Sequence, residues 1–200
     1  QIAAEQPTHE ATVYINSKGL GTANISGSDD LLLPERELRQ VFNGDRVKVR
    51  QTSVDRKGKP WGFVTEVLQH RVKQVIGKVS MYDGEYFVQP SAPNSHQPIT
   101  LEKELIEHAK VNLGDSIRVA IDTYPTKEEF ATGHIVQSMA DKSDTEIIIP
   151  QTILEFGLPY EFPDEVVKEA ESFKEPTEKD REGRIDLRDL ALVTIDGEDA

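Results

Sequence analysis

Residues 44–49 read Gly-Asp-Arg-Val-Lys-Val, and residues 114–119, seventy positions later, read Gly-Asp-Ser-Ile-Arg-Val. Both copies follow the pattern Gly-Asp-x-(Val/Ile)-(Lys/Arg)-Val, which predicts a turn followed by an alternating strand. The sequence downstream matches in register, because residues 62–64 (GFV) are answered by residues 133–135 (GHI). The chain therefore contains an internal repeat of about seventy residues, which predicts two similar domains in tandem.

The rest of each copy has the features of short β-strands. In the first copy, residues 11–16 (ATVYIN) alternate in polarity, and the apolar residues 31–33 form a further strand. In the second copy, Asp83 and Gly84 are a strong two-residue hairpin signal that leads into a return strand at residues 85–90.

A short amphipathic stretch precedes each Gly-Asp sequence, at residues 34–42 and 101–111. Five short strands with a helical turn before the fourth describe a five-stranded Greek-key barrel of the OB type. A different small barrel, such as an SH3-like one, is the alternative. The predicted fold is mainly β: two tandem OB-type barrels, which resemble cold-shock domains, followed by a C-terminal helix and linker.

The C-terminal third has a different character. Residues 146–150 (EIIIP) are predicted to form a final strand, and Pro163 and Asp164 to open a helix with one apolar face. A charged, proline-containing linker follows at residues 174–182. The predicted domains are a first barrel at 1–72, a second barrel at 73–150, a helix with an acidic linker at 151–182, and the start of a third domain at 183–200.

The net charge of −13 over 200 residues is unevenly distributed. Residues 1–75 carry 11 Lys and Arg against 9 Asp and Glu, or +2, whereas residues 141–200 carry 7 against 18, or −11. An acidic protein is a poor candidate for nucleic-acid binding, but here the acidity belongs mostly to the tail. Six cations lie close together in the first copy, on a predicted strand and loop that could equally be a solvated face: Arg46, Lys48, Arg50, Arg56, Lys57 and Lys59.

The absence of cysteine excludes disulfides, thiolate metal sites and a thiol nucleophile, and it suits a reducing cytoplasm. No apolar run approaches the ~18 residues of a membrane span, so we expect no membrane partner. The five histidines show no metal-ligand spacing. Because the sequence starts with Gln1 and not with Met, we expect a piece of a longer protein. It has no signal-peptide pattern, and we expect a cytoplasmic protein. We also expect a monomer.

The C-terminal residues resemble a known family. Residues 183–188 (GRIDLR), followed by residues 194–200 (TIDGEDA), resemble the opening of the catalytic domain in the bacterial ribonuclease II and ribonuclease R family. Tandem cold-shock domains with a Phe-Pro-x-x-Val helix after them are similar to the N-terminal half of that family, and residues 196–200 are nearer to its ribonuclease R members. The resemblance implies an exoribonuclease that degrades single-stranded RNA from the 3′ end and releases nucleoside monophosphates.

The same resemblance implies Mg²⁺ as the cofactor. The family's signature is Asp-x5-Asp-x-Asp-Asp, since phosphodiester hydrolysis requires carboxylates that hold two hard cations. Asp196 matches the first position as a metal ligand, whereas Asp199 falls between ligand positions and receives no role. One carboxylate does not hold a metal pair, so we expect no complete catalytic site and no hydrolysis by this chain alone.

OB barrels bind single strands by stacking bases on aromatic side chains while cations contact the phosphates. Residues 18–22 (KGLGT) resemble the Lys-Gly-aromatic-Gly-aromatic strand of cold-shock proteins but lack both aromatics. Strand alternation places Tyr86 and Phe87 on opposite faces, and we expect Tyr86 to be exposed. Trp61, the single tryptophan, is expected to pack in the core or at the barrel mouth, and base stacking is the alternative. The predicted RNA-binding residues are Lys18, Arg46, Lys48, Arg50, Tyr82 and Tyr86.

The leading hypothesis is that both barrels hold single-stranded RNA and feed its 3′ end to a catalytic domain. A stand-alone RNA-binding or chaperone module is a second hypothesis. A protein-interaction module, indicated by the acidic tail and the aromatic-poor first barrel, is a third.

Overall fold

The computed structural model describes residues 7–92 and 97–198. The elements of the first repeat are β1 (Thr8–Ile15), β2 (Gly21–Asn24), β3 (Leu31–Leu33), α1 (Glu35–Leu38), β4 (Arg46–Val54) and β5 (Pro60–Gln69). Those of the second are β6 (Gln74–Tyr82), β7 (Glu85–Pro90), β8 (Ile99–Leu101), α2 (Lys103–Ala109), β9 (Ser116–Thr123) and β10 (Ala131–Ser138). Three further helices follow: α3 (Asp144–Phe156), α4 (Asp164–Ser172) and α5 (Glu178–Arg181).

Each repeat forms a closed five-stranded barrel with the same strand order. The first barrel runs β1-β2-β3-β5-β4, and β4 pairs again with β1. The second runs β6-β7-β8-β10-β9 in the same way, and β9 pairs again with β6. In both, the third and fifth strands pair in parallel and all other pairs are antiparallel. A short helix lies between the third and fourth strands of each. This confirms the OB-type barrel over the SH3-like alternative.

The two cores are built from matching positions of the repeat. Val47 and Val49 of β4 are fully buried, and so are Ile117 and Val119 of β9, which occupy the same places in the second copy. Alternation then directs the residues between them outward, because side chains of a strand point to opposite faces in turn.

The Gly-Asp sequence forms the same turn in both barrels. Gly44 has φ 87° and Gly114 has φ 89°, values that glycine adopts without steric strain. The Asp45 carboxylate accepts a hydrogen bond from the backbone N–H of Phe42 at 2.9 Å, as the Asp115 carboxylate accepts one from Asn112 at 2.8 Å. The motif therefore closes the turn that opens the fourth strand.

Backbone bonds attach each turn to the first strand of its barrel. Gly44 donates to the carbonyl of Val13, and Val13 donates to the carbonyl of Asp45, at 2.8 and 2.9 Å. In the second barrel, Gly114 and Val79 make the equivalent pair with Asp115 at 2.8 and 3.0 Å. The repeat seen in the sequence thus reproduces a network of hydrogen bonds as well as a chain path.

The two aspartates differ in their surroundings. Asp45 is fully buried and also accepts the backbone N–H of Arg71 at 2.8 Å, while its other oxygen lies 2.7 Å from Nδ1 of His70. Asp115 is only partly buried. Because residues 70–73 connect β5 to β6, Asp45 links the first barrel to the start of the second.

The strand predicted at residues 146–150 is wrong, since these residues lie inside α3. The isoleucine run is typical of a strand, but a capping box overrides it: Ser143 and Glu146 exchange side-chain and backbone hydrogen bonds at the helix start. The Ser143 hydrogen bonds also hold the pKa of Glu146 below its ordinary value. Gly157, with φ 62°, ends the helix in a left-handed conformation.

Beyond Pro159 the chain forms a second compact unit, with α4 and α5 as its regular elements within residues 160–198. The predicted helix after Pro163 is confirmed as α4, but its apolar residues are exposed, with Val166 at 44% and Phe173 at 74%. The predicted boundaries at residues 150 and 182 stay predictions. Within the described residues, no helix is both long and apolar enough to cross a membrane.

We expect Asp45→Ala to destabilise the protein more than Asp115→Ala. The first substitution leaves the buried N–H group of Phe42 and the partly buried N–H group of Arg71 without an acceptor, whereas the second removes bonds made by a single, exposed residue, Asn112. We expect losses of about 3 and about 1 kcal/mol in the free energy of unfolding. Urea denaturation of both variants measures the difference, and equal losses would contradict it.

Candidate nucleic-acid interface

A row of side chains crosses the outer face of the first barrel. Tyr14 pairs with Thr22, Thr22 with Leu32, and Leu32 with Trp61, so the four residues lie side by side on β1, β2, β3 and β5. Their neighbours along each strand are core or inward residues: Val13, Ala23, Leu31, Leu33 and Gly62. We call Tyr14, Thr22, Leu32 and Trp61 the outer row. It places a 54% exposed tyrosine and a half-buried tryptophan on one surface.

This register excludes the barrel core for Trp61, whereas its packing at the barrel mouth and the alternative of base stacking stay predictions. Gly62 and Val64 of β5 point inward, so Trp61 points outward. The expectation that the first barrel lacks aromatics on its binding face is also incomplete, because Tyr14 supplies one. The alternation of residues 11–16, with Val13 and Ile15 facing inward, was the signal that could have found it.

The glycines at residues 18–22 have structural roles. Gly19 adopts φ 78° in a turn whose backbone N–H groups, from Lys18 and Leu20, donate to the Asn16 side chain at 2.9 and 3.1 Å. At Gly21, a side chain would collide with Leu38 of α1. The turn leaves Lys18 exposed and Leu20 64% exposed beside the outer row.

The three predicted cations of β4 are already engaged within the barrel. Arg46 pairs with Glu10 at 2.9 Å and Lys48 with Glu66 at 2.7 Å, both at the surface. The hydrogen bond from Lys48 to Glu66 raises the pKa of the lysine above its ordinary value. Arg50 lies over the Phe63 ring, 5.8 Å from its centroid, and its buried Nε has no hydrogen-bond partner among the described residues. Their contact with phosphates stays a prediction.

In the second barrel the two predicted aromatics have different environments. Tyr82 is 80% exposed near the β6–β7 turn, as expected. Tyr86, expected to be exposed, packs against the core, because it shares a face of β7 with the fully buried Val88. Phe87 takes the outer face instead, where its ring meets Phe130 edge to face at 5.9 Å between centroids. Phe130, in the β9–β10 loop, is 54% exposed and was not predicted.

Aromatic stacking joins the two barrels where Tyr124 meets the connection at residues 70–73. We call this contact region between the barrels the seam. The Tyr124 ring stacks on His70 at 3.7 Å, and its hydroxyl donates to the carbonyl of Val72 at 3.0 Å. It also meets Phe42 edge to face at 6.4 Å. Burial, and secondarily the charge of Asp45, raise the pKa of Tyr124. Tyr124, which directly follows β9, therefore contacts the connection between the barrels.

Polar contacts cross the same seam. Nε2 of Gln97, from the second barrel, donates to the carbonyls of Leu38 and Val41 in the first. Lys127 reaches across to Glu37 of α1 at 2.8 Å, and this largely buried carboxylate also accepts the backbone N–H of Val64 at 2.9 Å. The barrels are therefore held in one arrangement by specific bonds.

A cavity of about 520 Å³ opens between the barrels. We call it the inter-barrel cavity. The first barrel contributes mainly apolar residues with two cations, and the second closes the other side with an amide and an aromatic ring. The lining that matters below is Lys18, Leu20, Arg39 and Trp61 from the first barrel, and Gln97 and Phe130 from the second.

Asp196, the predicted metal ligand, is exposed and lies outside any helix or strand. Within residues 7–92 and 97–198, no group of three or more His, Cys, Asp or Glu side chains is placed to hold a metal ion. The described residues therefore do not fit a two-cation centre. His96 and Asp199 lie outside the described residues.

Two protein-family models match the chain. The Ribonuclease B OB domain matches residues 11–67, and the Cold shock domain matches residues 87–163. Among curated proteins, Ribonuclease R of Acidithiobacillus ferrooxidans is 33% identical over 100% of this chain and 46% of its own length. Ribonuclease R of Escherichia coli (strain K12) is 31% identical over 96% of this chain and 24% of its own length. The chain thus spans less than half the length of these relatives.

Solved structures share the fold. Mycoplasma genitalium RNase R in complex with ribose methylated single-stranded RNA matches 96% of this chain and 31% of its own, with a TM-score of 0.68 and 20% identity. Yeast Ssd1, a pseudonuclease, matches 74% of this chain and 25% of its own, with a TM-score of 0.58 and 14% identity. At these identities the likeness extends to the fold alone.

The seam generates a stability prediction. We expect Lys127→Ala to lower the free energy of unfolding by about 1–2 kcal/mol, because it leaves the largely buried Glu37 without its cation. Lys103→Ala is the matched control, since the Lys103–Glu107 pair is exposed on α2 and its loss should change stability by less than about 0.5 kcal/mol. Chemical denaturation measures both, and equal effects would show that the Lys127–Glu37 pair contributes no more than an exposed ion pair.

Proposed function

Because the chain belongs to the ribonuclease R family, we propose that its two barrels bind single-stranded RNA and guide it to the active site of a 3′–5′ exoribonuclease. The whole enzyme hydrolyses RNA to nucleoside monophosphates with Mg²⁺. This activity is part of the proposal and not a finding, because the chain spans less than half the length of the relatives that it matches. A monomeric, cytoplasmic protein is part of the same proposal, and the lack of cysteine suits a reducing compartment.

The outer row is the observation that carries the proposal. OB barrels bind single strands by stacking bases on exposed aromatics, at about 1–3 kcal/mol per base. Tyr14 and Trp61 lie on adjoining strands of one barrel face, and Phe87 and Phe130 form a contacting pair on the other barrel. Aromatic surface on both barrels supports binding of a strand that extends over both.

Charge supports weak, salt-dependent binding. Residues 1–75 carry a net +2, and Lys18 and Arg39 are exposed beside the aromatic surface, whereas the acidic residues concentrate in residues 141–200. On binding RNA, Arg46 and Lys48 would give up their ion pairs with surface carboxylates and contact phosphates instead. This exchange is feasible because an exposed ion pair contributes only about 0–1 kcal/mol to stability. Stacking should therefore contribute a larger share of the affinity than the phosphates.

Hydrolysis needs carboxylates that hold two cations, one to generate hydroxide and one to support the leaving oxygen. Asp196 is the residue of this chain that matches a ligand position of the family, and no carboxylate cluster surrounds it within residues 7–92 and 97–198. We therefore assign to this chain the binding of RNA, with catalysis belonging to the complete enzyme.

Fluorescence anisotropy with a labelled single-stranded oligoribonucleotide tests the binding. We expect the chain to bind, with an affinity that falls as salt rises. Tyr14→Ala should weaken binding by about 5- to 150-fold, which corresponds to about 1–3 kcal/mol for one stacked base. Phe173→Ala, which removes an exposed aromatic of the second unit, is the matched control and should leave affinity unchanged. No binding at low salt, or equal affinities for all three proteins, would contradict the proposal.

We expect the 200-residue chain, incubated with Mg²⁺ and a 3′-labelled single-stranded RNA, to release no nucleoside monophosphate while still binding the RNA. The physical reason is the missing carboxylate cluster around Asp196. Thin-layer or denaturing-gel analysis of the label measures this. Release that depends on Mg²⁺ and persists in an Asp196→Ala variant would point to a contaminating nuclease, and release abolished by that variant would overturn the expectation.

A further inference from the structure

We propose that the inter-barrel cavity is a slot that accepts one unstacked nucleobase of the bound single strand, with Trp61 on one side and Phe130 on the other. The inference rests on the proposed RNA binding and adds a defined site to it. The juxtaposition that carries it is a tryptophan of the first barrel and a phenylalanine of the second lining the same cavity between exposed cations.

The size of the cavity fits such a ligand. Its volume of about 520 Å³ lies within the range of about 300–1,000 Å³ that is typical of small-molecule sites. A nucleobase with its ribose is a ligand of this class, whereas a helix or a strand of a protein partner would not enter.

The walls are suited to a flat aromatic ring. Trp61 is half-buried on β5 and lies beside Leu32 of β3 in the register of the sheet. Phe130 is fixed from the other side by its edge contact with Phe87 at 5.9 Å. Leu20 and Pro98 complete an apolar surface. Stacking on rigid aromatic rings gives large contact area with little loss of side-chain freedom.

The charges at the rim distinguish a nucleotide from a purely apolar ligand. Lys18 and Arg39 line the cavity and are exposed, and Glu35 is the single acidic residue of the lining. A local excess of cations in a chain of net charge −13 favours a ligand that carries phosphates beside its apolar part.

The floor of the cavity is preorganised. Asn43 accepts the backbone N–H of Ile15 at 2.8 Å through its side-chain oxygen, and Gln97 donates to the carbonyls of Leu38 and Val41 across the seam. These bonds fix the walls before any ligand arrives, which lowers the ordering free energy that binding must offset. A base in this slot contacts both barrels at once, whereas the outer row belongs to the first barrel alone.

Trp61 is the single tryptophan of the chain, so its fluorescence reports on this slot directly. We expect an oligouridylate to quench Trp61 emission as it binds, and Phe130→Ala to weaken both quenching and affinity by about 5- to 150-fold. Phe130 is 54% exposed, so the variant should keep its fold, which circular dichroism checks. Phe173→Ala, exposed on the second unit, should behave as the unmodified chain.

A series of oligomers with one abasic position at a time locates the base. If one abasic position restores Trp61 emission while the others do not, the slot holds a single base. The inference is overturned if the RNA binds by anisotropy but leaves Trp61 emission unchanged, or if every abasic oligomer quenches equally. In those cases the proposed RNA binding stands. If no RNA binds by anisotropy, the proposed function itself fails.

Discussion

The buried carboxylate of Asp45 is the constraint on which the arrangement of the barrels depends. A buried charge needs hydrogen bonds to offset its lost hydration, and Asp45 finds them in the turn of its own barrel and in the segment that leaves it. The same carboxylate contacts His70, on which Tyr124 of the second barrel stacks. One residue of a local motif thereby orients the connection between domains, and with it the walls of the cavity.

Much of the fold could be predicted because patterns among residues close together in the sequence determine it. The repeated Gly-Asp turn and the alternating valines that follow it require only neighbouring residues, and they gave both barrels in the right order. It was harder to predict which residues of a strand face outward, because a shift by one residue exchanges the two faces. In β7, Tyr86 faces the core together with Val88, and Phe87 faces outward. Trp61 and Phe130 meet only through folding of distant segments. The isoleucines of α3 were misassigned because their capping signal lies upstream of the run.

The two copies have diverged into complementary roles. The first presents Tyr14 and the half-buried Trp61 on its outer face, although it lacks the aromatic pair of the cold-shock pattern. The second packs the partly buried Tyr86 against its own core and presents Phe87 and Phe130 on its outer side. Duplication thus supplies one scaffold twice, and substitutions on its outer surface decide what each copy contributes.

Phe42 has a consequence for how the protein can be dissected. It belongs to the first repeat by sequence, yet it lies 2% exposed in the core cluster of the second barrel, together with residues such as Val88 and Ile117. Cutting the chain between the repeats would remove the Phe42 ring from the core of the second barrel. It would also leave that apolar side chain exposed to solvent on the first barrel. The pair is therefore better regarded as a single cooperative folding unit than as two interchangeable modules, and deletion experiments that remove one barrel would report on misfolding as well as on lost function.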